Sequence, residues 1–268
     1  MIFQCWMEYQ ANTLACVWFA ALRMKGSRIA AMDPKQPLPQ AVRDLAHRLC
    51  ASAHGGPHSG PHTGDVRLTQ KGRMRQDATS GWMHFTARQT ISTTSCAFDW
   101  RARTGPAGTI SIRDALVGGE GVLDVRALGF IPVAHMGGSP DATRGELMRY
   151  LAELPLAPAA ILGNPSLRWR SDTAVRLIVS AGSGDTAAEV TFTLGTDGRV
   201  ASVFAPDRPR AVKNTFVPAP WQGRFSDYRQ HRGFWLPFAA EVSWPVNGAD
   251  SIYWQGQMQS WTDDQPRA

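Results

Sequence analysis

A chain of 268 residues with 43% apolar and 19% charged side chains can bury a sizeable core, and this balance excludes an intrinsically disordered polymer. The formal net charge of +6 permits weak attraction to anionic lipid, nucleic acid or acidic ligands, but the arginines are spread along the chain and form no basic arm. Ten Trp and eleven Phe against four Tyr leave many rings that the fold must cover, while Cys5, Cys16, Cys50 and Cys96 are spaced too widely for a zinc knuckle or a small disulfide scaffold and read as isolated core thiols.

Residues 14–22 form a short uncharged stretch followed by Arg23, Lys25 and Arg28. A secretory signal carries its positive charge before the apolar run, whereas Glu8 precedes this one, and the run is too short to span a bilayer. Residues 1–33 therefore read as a peripheral or poorly ordered leader, and cytoplasmic residence is favoured over export. Pro34, Pro37 and Pro39 make an extended lead into a short helix over residues 41–51, with Val42, Leu45, Leu49 and Cys50 on one face. The following Gly/Pro/His stretch is a loop. Within it His54, His58 and His62 recur every four residues, but Gly55, Gly56, Pro57, Gly60 and Pro61 forbid the helix that would align them on a metal, so no metal site and no cofactor are assigned.

Period-two alternation starts near Asp65. Val66, Leu68 and Met74 share one parity and Arg67, Lys71, Arg73 and Arg75 the other, which predicts an apolar inner face and a basic outer face. Met83, Phe85 and Ala87 continue the pattern, as do Phe98, Trp100 and Ala102 against Asp99, Arg101 and Arg103. Gly105-Pro106-Ala107-Gly108 turns the chain into a strand over residues 109–117, and Gly118-Gly119-Glu120-Gly121 turns it again into one over residues 122–128. Ser139 as N-cap, Pro140 in the first turn and Asp141 at the positive end of the dipole open a helix that carries Leu147, Tyr150, Leu151 and Leu154 and stops at Pro155. Strands return with Val175, Leu177 and Val179, then Val190, Phe192 and Leu194 before Asp197-Gly198, a two-residue hairpin signal leading to Val200 and Val203. Pro206 and Pro209 break the pattern, and Phe238, Ala240, Val242 and Trp244 form a late strand that Asn247-Gly248 joins to a last one over residues 252–258.

Strands on both sides of one central helix, without regular βαβ alternation, predict a mainly β (α+β) fold: a curved antiparallel sheet or half-barrel with one well-defined central helix and a short N-terminal helix. Residues 34–261 form one β-rich domain, residues 155–165 mark the seam between its halves, and residues 262–268 are a frayed tail.

Several motifs carry a resemblance. They are Gln70-x-Gly72-Arg73-Met74-Arg75, Trp82-x-x-Phe85-x-Ala87-x-Gln89, Phe98-x-Trp100-x-Ala102-Arg103, Arg113-Asp114-Ala115, Gly119-x-Gly121, the run from Gly145-Glu146-Leu147 to Glu153-Leu154-Pro155, Pro158-x-Ala160-x-Leu162, Trp169 and Pro220-Trp221-x-Gly223. Through them residues 38–261 resemble an uncharacterised family of bacterial proteins, a domain of unknown function. That resemblance implies a fold and no activity. The second half, through Asp197-Gly198-Arg199-Val200, is similar in strand order and turn chemistry to the curved sheets of LolA/LolB-type lipoprotein carriers.

Three constellations can carry function. Arg149 follows Glu146 by three residues and precedes Glu153 by four, so both carboxylates can reach one guanidinium; Asp114 shares parity with Ile110 and Ile112 and must find a buried partner, Arg149 or a nearby arginine. Asp114, Glu146, Arg149 and Glu153 are thus the candidate catalytic set, although a structural charge network explains them more simply. The aromatic group of Trp82, Phe85, Phe98, Trp100, Trp169, Trp221, Trp235, Trp244 and Trp254 can pack the core or line a cavity, and Trp82, Phe85, Trp100, Tyr150, Trp169 and Trp221 are the candidate ligand-binding residues. Arg67, Lys71, Arg73, Arg75, Arg101 and Arg103 are either the wet side of a sheet or a surface for anionic membrane; no aromatics interleave with them, so nucleic acid is not expected. The leading expectation is a protein that holds a hydrophobic or lipid-like ligand on a concave sheet face. The rivals are a small-molecule enzyme using the carboxylates at the strand–helix junction and a scaffold docking on a membrane or acidic partner.

Overall fold

Alternating apolar and polar side chains extend the chain and pair it with itself. In the computed structural model, which describes residues 37–50, 64–212, 215–246 and 248–264, thirteen antiparallel strands form one curled half-barrel sheet. The first six are β1 (Val66–Met74), β2 (Met83–Ile91), β3 (Phe98–Thr104), β4 (Ile110–Val117), β5 (Glu120–Ala127) and β6 (Ile131–Gly137). The rest are β7 (Arg168–Thr173), β8 (Arg176–Ala181), β9 (Ala188–Leu194), β10 (Val200–Val212), β11 (Thr215–His231), β12 (Phe234–Val246) and β13 (Ala249–Asp263). From β1 the chain steps outward to the β6 edge, crosses to the β7 edge and steps back until β13 pairs with β1 in the middle. Preceding the sheet is helix α1 (Gln40–Leu49), and the crossing carries α2 (Pro140–Ala152), a turn of 3-10 helix over Leu154–Leu156 and the short α3 (Ala160–Gly163).

The predicted parity holds across the first half. Val66, Leu68 and Met74 are buried and Arg67, Lys71 and Arg73 exposed; in β3 the buried set is Phe98, Trp100 and Ala102. Gly118 and Gly119, with φ of 61° and 82°, make the tight turn between β4 and β5, a conformation that suits the strand twist and that side chains other than glycine resist. Helix α2 begins where its cap predicts, with the Ser139 hydroxyl accepting from the Ala142 N–H at 3.1 Å. It is buried nearly all round, because β4, β5 and β6 pack on one side of it and β8, β9 and β10 on the other.

Prolines and bulges account for the main departures. Pro206 and Pro209 do not end the strand: β10 runs through both, with a register shift between Ala205 and Arg208 that absorbs one extra residue. Pro209 stands opposite Pro218. β9 pairs with β10 only over residues 200–204 and β12 with β11 only over residues 222–231, so each proline lies where its strand has no second neighbour to receive the missing N–H. The same reasoning explains why β11, the longest strand, is illegible as one: Pro218, Pro220 and Gly223 interrupt its pattern. Edge strands β6 and β7 are mostly exposed and lack clear alternation. Val175 sits in the turn before β8 rather than in the strand, and Asp197-Gly198 lies within a wider loop closed by the Gly195 N–H on the Arg199 carbonyl at 2.8 Å. At the other end β13 continues past residue 261, pairing Thr262 with Arg67 and Asp263 with Val66. Residues 1–33 and the His54, His58 and His62 stretch lie outside the described residues.

Gly121, in β5, lies under the first turn of α2. Its N–H donates to the Thr143 hydroxyl at 3.1 Å, and a Cβ there would fall 2.7 Å from the Ala142 carbonyl oxygen. Gly121→Ala must therefore lift the helix off the strand, and urea denaturation should show a loss of about 1–3 kcal/mol. Gly81→Ala, with nothing within 4 Å, should change stability by less than about 0.5 kcal/mol.

Candidate functional site

Charges meet where α2 ends against the inside of the sheet. Arg149 donates from Nη1 to Asp114 Oδ2 of β4 at 2.5 Å and from Nε to Glu153 Oε1 at 2.9 Å. Its guanidinium lies 4.8 Å from the Phe98 ring centroid and 5.2 Å from that of Trp100. The remaining Glu153 oxygen accepts from Gln89 Nε2, and Trp100 donates its indole N–H to Gln70 Oε1 at 2.9 Å. Asp114 thus finds the partner its inward parity demands.

Glu146 makes no hydrogen bond to that guanidinium, whose carboxylate partners are Asp114 and Glu153. It turns toward β10 instead, where Arg208 Nη2 stands 3.9 Å from Glu146 Oε1, longer than a hydrogen bond. Burial, and then the negative charge of Asp114, push the Glu146 carboxyl up to about 8. It therefore holds its proton to higher pH than an ordinary carboxyl does. A proton held between the two carboxyls also answers the otherwise orphaned Asp114 Oδ1 and Glu146 Oε2, which accept from no group among the described residues.

Beside these charges a narrow cavity opens to solvent. Its polar end is Gln70, Asp114, Arg149, Glu153 and Arg208, and its walls include Phe225, Phe238, Ala240, Val242, Trp254 and Met258. The opening follows from where the helix packs. Held between the two flanks, α2 leaves the inner faces of β11, β12 and β13 only partly covered, so Phe225, Phe238, Ala240, Val242 and Trp254 stay half-buried. Trp221 donates its N–H to the Tyr253 hydroxyl at 3.0 Å, and both line the cavity.

Of the four candidate catalytic residues, Asp114, Arg149 and Glu153 come together on the cavity, while Glu146 lies behind them, 2% exposed. Asp114 and Glu153 both bond to the one Arg149 guanidinium, which makes this end a fixed polar terminus for whatever enters. The six candidate ligand-binding rings separate. Trp221 lines the cavity; Phe85 backs its wall, stacked on Trp254 at 5.6 Å and edge-on to Trp100 at 5.7 Å. Trp100 and Tyr150 are core side chains with no exposure, the Tyr150 hydroxyl donating to the Ser92 carbonyl at 3.0 Å, and Trp169 packs on Phe192. Trp82 lies on the outer face with the Arg73 and Arg75 guanidinium groups each 4.6 Å from its ring. Elsewhere on that face Arg67 pairs with Asp264 at 2.7 Å and Arg101 with Asp99 at 2.9 Å. Arg208 and Tyr253 are cavity residues that sequence reasoning misses. For Arg208 a signal exists: resuming the alternation one residue late after Pro206 would turn it inward.

The chain belongs to a family of unknown function, DUF6544, whose model matches residues 27–256. No curated protein matches it in sequence. Among solved structures it is similar to a domain from Vibrio parahaemolyticus named for outer membrane lipoprotein sorting, at 10% identity and a TM-score of 0.45 over 85% of this chain and 92% of that one. A LolA superfamily protein from Nitrosomonas europaea matches at 7% identity and a TM-score of 0.44, over 84% of this chain and 94% of its own. A DUF1329 family protein from Desulfovibrio piger matches at 10% identity and a TM-score of 0.45, over 85% and 94%.

Two outcomes follow from the charge cluster. Arg149→Met leaves Asp114 and Glu153 buried without their counterion and should cost about 3–5 kcal/mol in chemical denaturation. Glu146 binds its proton more tightly folded than unfolded, so its proton-linked stability is complete below its ordinary value of 4.5 and is lost as pH rises through about 8. Glu146→Gln keeps a donor toward Asp114 without that titration; its melting temperature should gain on the wild type between about pH 5 and about pH 9, as thermal melts across that range would show.

Proposed function

We propose that this DUF6544 protein binds and carries a hydrophobic or lipid-like molecule along the concave face of its sheet. One observation carries the reading: inward-facing apolar side chains of β11, β12 and β13 stay half-buried around a cavity, although their parity is that of a core. Uncovered apolar surface at a concave site is what a ligand removes from water, at about 25 cal/mol per Å². The polar end formed by Asp114, Arg149 and Glu153 supports a ligand with distinct ends, one apolar and one able to hydrogen-bond. The rings of Trp221 and Trp254 add large rigid surfaces on which a chain can lie.

Native mass spectrometry of gently purified protein should reveal a copurifying amphiphile. Ala240→Trp, which fills the wall beside Phe238, should weaken binding of a fluorescent fatty-acyl probe by at least about tenfold while the protein stays folded. Absence of any copurifying ligand, together with unchanged probe binding in Ala240→Trp, would overturn the reading.

A further inference from the structure

We infer that Arg208 receives the anionic headgroup, a carboxylate or a phosphate, of an amphiphile whose chain lies along the β11–β13 wall. The inference rests on the carrier reading above and adds the chemistry of the ligand's polar end.

Arg208 comes to the cavity through the bulge in β10. Ala205 pairs with Trp221 and Arg208 with Ala219, so two residues, Pro206 and Asp207, face Pro220 alone and the alternation inverts. Helix α2 holds the bulge in place: Arg144 donates to the Asp207 carbonyl at 2.8 Å and to its carboxylate at 2.6 Å. The result is a guanidinium that lines the cavity from a residue only 3% exposed.

Its pairing differs sharply from that of Arg149. Arg149 holds two carboxylates at 2.5 and 2.9 Å, whereas the nearest acidic oxygen to Arg208 is Glu146 Oε1 at 3.9 Å and the Arg208 Nε–H has no acceptor among the described residues. Asp114 and Glu153 hydrogen-bond to Arg149, and Glu146 stands beyond hydrogen-bond distance, so no carboxylate among the described residues is hydrogen-bonded to Arg208. A buried cation without a hydrogen-bonded counterion is costly, and a bound anion removes that cost. One face of the guanidinium lies over Trp221, 4.5 Å from the ring centroid. Stacking of this kind leaves the N–H edge available, and that edge matches carboxylate and phosphate oxygens two at a time. A cationic head would meet repulsion from Arg208, and a neutral ester would leave its positive charge unanswered.

Titration calorimetry on the full chain, with ligands sharing one dodecyl chain, tests this. Dodecanoate and dodecyl phosphate should bind at least about tenfold more tightly than methyl dodecanoate, and comparing the two acids identifies the favoured head. Arg208→Gln should abolish that preference; Arg208→Lys should keep part of it, since an ammonium offers charge without the fork. Equal affinity for dodecanoate, dodecyl phosphate and their ester in the wild type would overturn the headgroup assignment while the carrier reading stood. Binding of inorganic phosphate as tightly as dodecyl phosphate would overturn it in favour of a free-anion site. If no dodecyl compound binds, the carrier reading falls with it. Because the wild-type series decides alone, a misfolded Arg208→Gln protein would not spare the proposal.

Discussion

Helix α2 holds together two flanks of one sheet whose edge strands, β6 and β7, do not pair with each other. Arg144 reaches Asp207 on β10, and Arg149 reaches Asp114 on β4. Five residues separate the two arginines, about 140° around the helix, so they point to opposite flanks as the topology requires. A sheet of thirteen strands must curl or split, and here it curls around a helix tied by charge to both sides. Leu147, Met148 and Leu151 supply the apolar contact, which is not directional; the ion pairs fix the rotation and height at which that contact is made.

The position of the helix decides where the cavity lies. Packed against β4–β6 and β8–β10, it leaves the middle of the sheet to be covered at its ends by α1 and the Leu154–Leu156 turn, both of which meet β12. Leu156 also accepts from the Trp261 indole at 2.8 Å, sealing that end. Between these covers the inner faces of β11, β12 and β13 remain partly open. The charges that anchor the helix and the apolar wall left beside it are therefore adjacent for one reason, and an amphiphilic cavity is a consequence of the strut.

Much of this was legible in the residues. Alternation in β1, β3 and the first half of β4 gave the sheet and its two faces, and the same parity placed Asp114 inside, where it needs a buried partner. Ser139 and Pro140 marked the helix start, and Arg149 stood at helical spacing from Glu153. Illegible were β11 and the far half of β10, because the donor a proline lacks matters only where a second strand would use it, and whether one is present is not a local property. Most of the candidate rings went to the core or the outer face for a related reason: Trp100, Tyr150 and Trp169 have the composition of a cavity wall, yet wall and core differ only in what packs opposite.

The sequence by itself determined the strand class, the central helix with its cap, and the presence of buried opposite charges, since each depends on spacing within a few residues. Tertiary structure alone decided which carboxylate met which arginine, that Glu146 would face Arg208, and that a bulge would invert parity to bring Arg208 inside. Those outcomes depend on registers between strands far apart in the chain, and a shift of one residue in a register exchanges the inside of a sheet for its outside.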